Sequence, residues 1–407
     1  MPHLLKRNVA VVVSITGLLT GGCESGAHEA REFVEAAGTS DFDRFTPDCF
    51  GLDLKTPPLV LGAEESADGA FFSSVAAAAV LQDGTVAVAD GYVGSWLWIF
   101  SPSGRVLARL GEPRDGPGGF HLLAWVRRSP SGGFVTFDRQ KGELAYFGPD
   151  GSVLDARRAI MPAGLPAGAY PRAGPLPDGR FVYAGGSWTP PSAQGRVVRA
   201  ARELWVEGGE GREPIRLGQV ADAEMYREEG EGFFNRLLPF GRLTSVFVLG
   251  DRVVIATGDE PILELVDPES GRRDTLAVPL EPPALTSGEI RGFKEAWLAD
   301  IGDRYGTEDA LRQIRRIADD IPYPAWLPPF ARVRPDPLGY VWVAMVHPDE
   351  RRPERYLVMD TLGVVRDTVS LPAGTELLHV GPRHILGLAR DAFDVESVMV
   401  IPRSCAR

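Results

Sequence analysis

Three cysteines, six histidines and two asparagines in 407 residues leave little material for several kinds of site. No H-E-x-x-H, C-x-x-C, EF-hand loop or P-loop occurs, so the commonest metal, redox and nucleotide signatures are missing. His121, His347, His379 and His384 show no metal-ligand spacing. Gly185-Gly186-Ser187-Trp188-Thr189 lacks the second glycine of a nucleophile elbow. An excess of basic charge is also lacking. A net charge of -12 argues against a nucleic-acid surface and against attachment to anionic lipid through charge alone. The apolar run from Val9 to Leu19 is too short to span a bilayer as a helix.

What is abundant is turn material, with Gly 47 and Pro 34. Glycine supplies positive φ and proline pre-sets turn geometry, so many tight turns are expected in place of long helices. A turn followed by a β-rich run recurs six times. The copies begin at Asp83-Gly84, Ser131-Gly132, Asp178-Gly179, Gly250-Asp251, Leu338-Gly339 and Pro382-Arg383. A second hairpin follows most copies, as in Phe100-Ser101-Pro102-Ser103-Gly104 and Phe147-Gly148-Pro149-Asp150-Gly151. Two hairpins per period give four antiparallel strands, the unit of one propeller blade, and the early spacing fits a repeat of about 40 to 50 residues. The expected fold is therefore all-β, a six-bladed β-propeller over residues 49–407. Its sixth copy stops one strand short, and Pro58-Leu59-Val60-Leu61 is available to fill the place and close the ring.

The amino terminus carries Lys6-Arg7, the apolar run, and then Leu19-Thr20-Gly21-Gly22-Cys23. This resembles a bacterial lipobox, which implies a lipoprotein signal peptide over residues 1–22, a lipid on Cys23 and a cell-envelope location. Residues 23–48 are small and polar, and read as a flexible tether. In an oxidising compartment the two leftover thiols, Cys49 and Cys405, are expected to pair, with two separate buried thiols as the alternative. The run from Val86 to Gly111, with its V-x-V-A-D strand, I-x-F strand, P-x-G turn and closing L-G, resembles the NHL repeat. Arg114-Asp115-Gly116-Pro117-Gly118-Gly119-Phe120 resembles the G-x-G-x-F connector between blades of such propellers. The resemblance implies an NHL-type or TolB-like six-bladed propeller, in families that include scaffolds, binding modules and some enzymes.

With strands ordered A to D from the axis, the C–D turns are short while the long segments fall in the B–C and D–A connections. That face is the expected site, since scaffold-mounted loops usually carry binding groups. Its candidates for a ligand or partner are Arg114, Asp115, Trp188, Tyr226, Glu228, Trp297, Trp326 and His347. Asp222, Glu224, Glu228, Glu229 and Glu231 read as an acidic loop near Arg227. The longest insertion, residues 280–330, contains two helical patterns at about residues 286–320. One has Thr286 and Ser287 as N-caps and Ile290, Phe293, Trp297 and Ile301 at helical spacing. The other opens at Thr307 and is stopped by Pro322, Pro324, Pro328 and Pro329. Two functions stay open. One is a non-catalytic lipoprotein binding a peptide, sugar or protein, with no cofactor. The other is a metal-dependent hydrolase or lactonase at the channel mouth, where calcium would be the cofactor. Six-bladed lactonases use carboxylate and Asn ligands, and Asn8 and Asn235 cannot supply that set. The S-x-D-x-G-x-T-W boxes of sialidases do not occur.

Overall fold

In the computed structural model, the described residues are 49–405 apart from 63–68, 92–94, 112–115, 117, 160–169, 186–196, 210–211, 228–234, 306, 350–351 and 392. The signal peptide, Cys23 and the tether lie outside them. So do Arg114, Asp115, Trp188 and Glu228.

The chain opens with two short strands, β1 (Cys49–Leu52) and β2 (Leu59–Leu61). The first full sheet is β3 (Val75–Val80), β4 (Val86–Asp90), β5 (Trp96–Phe100) and β6 (Val106–Leu110). The second is β7 (Leu123–Arg128), β8 (Phe134–Asp138), β9 (Glu143–Phe147) and β10 (Val153–Arg158). The third has five strands: β11 (Tyr170–Ala173), β12 (Val182–Gly185), β13 (Val197–Val206), β14 (Ile215–Arg227) and β15 (Asn235–Leu237). The fourth is β16 (Ser245–Leu249), β17 (Arg252–Ala256), β18 (Ile262–Val266) and β19 (Arg273–Ala277). After the helices α1 (Ser287–Tyr305) and α2 (Glu308–Asp320) comes the fifth: β20 (Val333–Pro335), β21 (Val341–Ala344), β22 (Arg355–Met359) and β23 (Val365–Ser370). The last comprises β24 (Thr375–Val380), β25 (His384–Arg390) and β26 (Glu396–Cys405), joined by β1 and β2.

Every sheet is antiparallel; the first five run in chain order as meanders built from hairpins, and the last adds β1 and β2 to the β24–β25–β26 meander. The turns explain the glycines. Gly84 stands at φ 93°, a left-handed conformation that a side chain would oppose, while Asp83 accepts from the Thr85 amide at 2.9 Å to tighten the same turn. The first strand of one sheet lies beside the first strand of the next. β3 meets β7, β11 meets β16, β16 meets β20, β20 meets β24, and β24 returns to β3. β7 reaches β11 through the Trp125 indole, which donates to the Pro171 carbonyl at 3.1 Å. This all-β arrangement of mostly four-stranded sheets is consistent with a propeller.

The core is divided between neighbouring sheets. Val88, Trp98 and Phe100 pack on Leu386, Val398 and Val400 of the last sheet. Phe134 and Phe147 pack on Leu97 and Ile99, and Trp125 and Phe137 on Phe181 and Tyr183. Each fully buried side chain of this size contributes roughly 1.5–3 kcal/mol. The alternating apolar residues of each strand therefore face both neighbouring sheets, which is why the runs look continuously hydrophobic rather than one-sided.

The two ends of the described chain meet in the last sheet. Leu59, Val60 and Leu61 pair with Val400, Met399 and Val398, filling the place left by the missing strand. A further strand, β1, pairs with the end of β26 and was not evident in the sequence. Cys49 and Cys405 are bonded. Beside them the Arg403–Asp336 pair is fully buried, at 2.6 Å. Arg403 also donates to the Gly381 carbonyl at 2.7 Å and to the Cys49 carbonyl. The Trp342 indole donates to Asp336 at 3.0 Å.

One reading of the sequence needs correction. Where the sequence suggests a long acidic loop, Asp222 and Glu224 stand in the second half of strand β14, while Glu228, Glu229 and Glu231 lie outside the described residues. Both strand acids are partnered: Asp222 accepts from Arg202 across the sheet at 2.5 Å, and Glu224 from the Arg242 amide at 2.8 Å. Charged pairs on neighbouring strands look like solvated loop charge when the partner strand is not known.

Candidate functional site

The helical insertion leaves β19 and returns to β20, so it stands on the face of the D–A connections. Its first helix starts with a capping box. Glu289 donates its amide to Thr286 Oγ1 at 3.3 Å, and Thr286 donates its amide to Glu289 Oε2 at 2.8 Å. The inner faces of both helices bury Phe293, Trp297, Ile317 and Ala318 against Phe240, Tyr226 and Leu327. Phe240 and Phe293 meet edge to face, with centroids 4.9 Å apart.

This packing sorts the candidates. Trp297 is 3% exposed and belongs to the core of the insertion. Tyr226 is 1% exposed, and its hydroxyl donates to Asp320 at 2.8 Å, fastening β14 to the end of α2. Neither ring is presented to a ligand. His347 is exposed, and its Nδ1 accepts from the Asp349 amide at 2.9 Å. Trp326 is different, because it is 63% exposed.

Trp326 projects from a fixed backbone. On one side the Leu285 amide donates to the Ala325 carbonyl at 3.0 Å, and on the other the Leu327 amide donates to the Pro283 carbonyl at 2.8 Å. Pro322, Pro324, Pro328 and Pro329 flank it, and each has its φ fixed by its ring. These prolines, with Trp326, form one wall of a groove of about 650 Å³. The opposite wall is Val197 and Glu224 from the long β13–β14 hairpin, Arg242 from the segment leading into β16, and Asp259 from the B–C connection of the fourth sheet.

The polar wall is ordered by ion pairs. Asp259 Oδ1 accepts from Arg199 at 2.5 Å and from Arg242 at 3.0 Å. Glu224 Oε2 accepts from the Arg242 amide at 2.8 Å. Burial works against the charge of Asp259, but the Thr257 hydroxyl and the two guanidiniums outweigh it and hold the carboxyl below its usual range. The groove thus offers an apolar ring face opposite fixed charges of both signs. Such a surface stacks on a flat or ring-shaped group and hydrogen-bonds its edges. Among the described residues, no group of three or more His, Cys, Asp or Glu is arranged to hold a metal ion.

Sequence reasoning missed Arg242, Glu224 and Asp259 as a set, because they come from three separated segments. The available signal was the repeated proline around Trp326, which fixes a ring in place.

No family model and no curated protein match this chain. Solved structures do. A protein of Bacteroides fragilis described as exported has 11% identity and a TM-score of 0.44, over 87% of this chain and 99% of that one. A member of the DUF4221 family from Bacteroides vulgatus has 11% identity and a TM-score of 0.44, over 86% and 98%. A gluconolactonase from Xanthomonas campestris has 10% identity and a TM-score of 0.40, over 88% and 99%.

Proposed function

We propose that this chain is an exported, lipid-anchored, six-bladed β-propeller of NHL or TolB-like type, acting as a binding module through the face of its B–C and D–A loops. The six sheets are its blades, and the last is closed by β2. The observation that carries the binding reading is Trp326, a large exposed indole on a backbone pinned from both sides, facing an ordered ion-pair wall. An exposed tryptophan fixed in this way costs little conformational entropy to use, which suits a ring-stacking or peptide-binding role. The lipobox-like Leu19 to Cys23 supports the anchor, and the tether would hold the propeller off the membrane.

Two experiments test this reading. A glycan and peptide array probed with the full chain in detergent should give hits that Trp326→Ala loses. Hits indifferent to that change would move the site elsewhere, and turnover of a lactone panel dependent on added calcium would favour the hydrolase instead. Metabolic labelling with a fatty acid should mark the wild-type chain and not Cys23→Ser.

A further inference from the structure

Four of the six inner strands place basic side chains around the middle of the ring. Arg127 and Arg128 end β7, Arg172 lies on β11, Arg334 on β20 and His379 on β24. All five keep part of their surface open to water although they stand on the innermost strands, as side chains lining an internal channel do. They also sense one another across the ring. Arg127 of the second sheet feels the charges of Arg172 and of Arg334, the latter from the fifth sheet. His379 of the last sheet feels Arg128 and Arg334.

Compensation is thin at Arg127, which lies over the Trp125 ring at 4.3 Å, and at Arg128, whereas at Arg172 burial is outweighed by Tyr170 and Asp222, which favour the charged form. The Arg127 guanidinium donates to two carbonyls, Gly174 at 3.0 Å and Arg172 at 2.6 Å. Arg172 donates to the Tyr170 hydroxyl at 2.8 Å and the Thr244 carbonyl at 3.3 Å. Among the described residues neither forms an ion pair, and Arg128 has neither ion pair nor hydrogen bond. His379 Nε2 is a buried nitrogen with no hydrogen-bond partner among the described residues. The acids in the neighbourhood are already engaged: Asp222 with Arg202 and Glu376 with Arg332, each at 2.5 Å. Burial, followed by the neighbouring cations, weighs against the charged form of both Arg127 and His379. Gathering like charges where water is scarce is unfavourable unless something of opposite sign joins them.

We propose that the middle of the ring binds a small oxyanion, a phosphate or carboxylate group, held by Arg127, Arg128, Arg172 and Arg334 with His379 beside it. Guanidinium forks match the planar or tetrahedral oxygens of such groups and bind them through paired hydrogen bonds. The site rests on the closed ring proposed above and is independent of the Trp326 groove. The polar partners already held by Arg127 and Arg172 orient their guanidiniums before the anion arrives.

Calorimetric titration of the full chain in detergent, with inorganic phosphate and separately with citrate at constant ionic strength in chloride, tests the site and separates the two oxyanion sources. Saturable binding of at least one is expected, weakened tenfold or more by Arg128→Gln and unchanged by Trp326→Ala. Arg128→Gln is the informative variant because, among the described residues, no hydrogen bond depends on that side chain. Its Tm without anion should equal or exceed that of the wild type. Absence of saturable binding by both anions, or equal affinity in Arg128→Gln, overturns the site while leaving the groove untouched. Mapping the Cys49–Cys405 bond by non-reducing digestion checks the ring separately.

Discussion

The first two sheets and the third and fourth tie their connections down by different chemistry. Strand β4 ends in Asp90, which accepts from the Ser73 amide at 3.0 Å and the Ser74 amide at 2.7 Å. Strand β8 ends in Asp138, which accepts from His121 at 2.6 Å, Leu122 at 3.1 Å, and Gln140 and Lys141 at 2.9 Å each. One carboxylate at the end of the second strand thus pins the segment that enters the first strand of the same sheet. Strand β12 ends in Gly185 and β17 is followed by Thr257, so that carboxylate is gone. There arginines do the tying. Arg199 donates to the Asp222 carbonyl at 2.6 Å and the Thr257 carbonyl at 2.5 Å, and Arg172 reaches the Thr244 carbonyl. A long arginine spans a gap that a short aspartate cannot, which leaves room for the β13–β14 hairpin and the helical insertion. The groove lies where the compact tie was given up.

Cutting ties one at a time sharpens the contrast. The largest loss is expected at the seam, where Arg403→Ala strands a buried Asp336 and should cost about 3–5 kcal/mol in chemical denaturation. A loss below about 1 kcal/mol would mean the seam is held by strand pairing alone. Next comes the Cys49–Cys405 bond, whose ends are separated by 356 residues. Cys405→Ser should lower stability by about 2–4 kcal/mol under oxidising conditions, and not when both proteins are reduced. Asp138→Ala leaves four amides without their acceptor and should cost about 2 kcal/mol, whereas Asp259→Ala, on the exposed groove wall, should cost under about 1 kcal/mol. Equal losses at the two aspartates would erase the distinction between the compact and the grown sheets.

A fourth expectation concerns acid. Burial, then Arg128 and Arg334, press His379 down to about 3 from its ordinary 6.5, so the folded protein holds it neutral while the unfolded chain protonates it. The unfolded state binds the extra proton between those values, so stability falls as pH drops through that window and is fully present above it. His379→Gln should flatten the acid limb of a pH–stability curve by up to about 1.4 kcal/mol per pH unit. The smallest effect is expected at Trp326, where alanine should change stability by no more than about 0.5 kcal/mol while removing ligand binding.

Much of the β framework was legible because its signals are local. Asp83-Gly84 and Phe147-Gly148-Pro149-Asp150-Gly151 announce hairpins within a few residues, and counting strands pointed to Leu59–Leu61 as the closing partner. The helices could be read from Thr286, Phe293 and Trp297 for the same reason. Side-chain placement was less accessible. Trp297 and Trp326 are the same residue type in the same insertion, yet one is buried and the other exposed, because only the second lies beyond the helices on a proline-fixed segment. Strand β14 reads as a loop in the sequence because its charges are satisfied by Arg202 on the partner strand and by Arg242 on a separate segment. The basic side chains of the inner strands are illegible for a related reason: each strand carries only one or two of them, and only the ring brings them together.

The long final strand has a consequence for how the molecule is made. β26 has 10 residues, and β1 and β2 have no other pairing partner among the described residues. A growing chain therefore carries two orphan strands until β26 has been delivered. Contacts of that sequence separation are slow to form, and the exposed sheet edges they leave invite association with other chains. The other five sheets should form before the ring becomes secure, with β26 acting as the clasp.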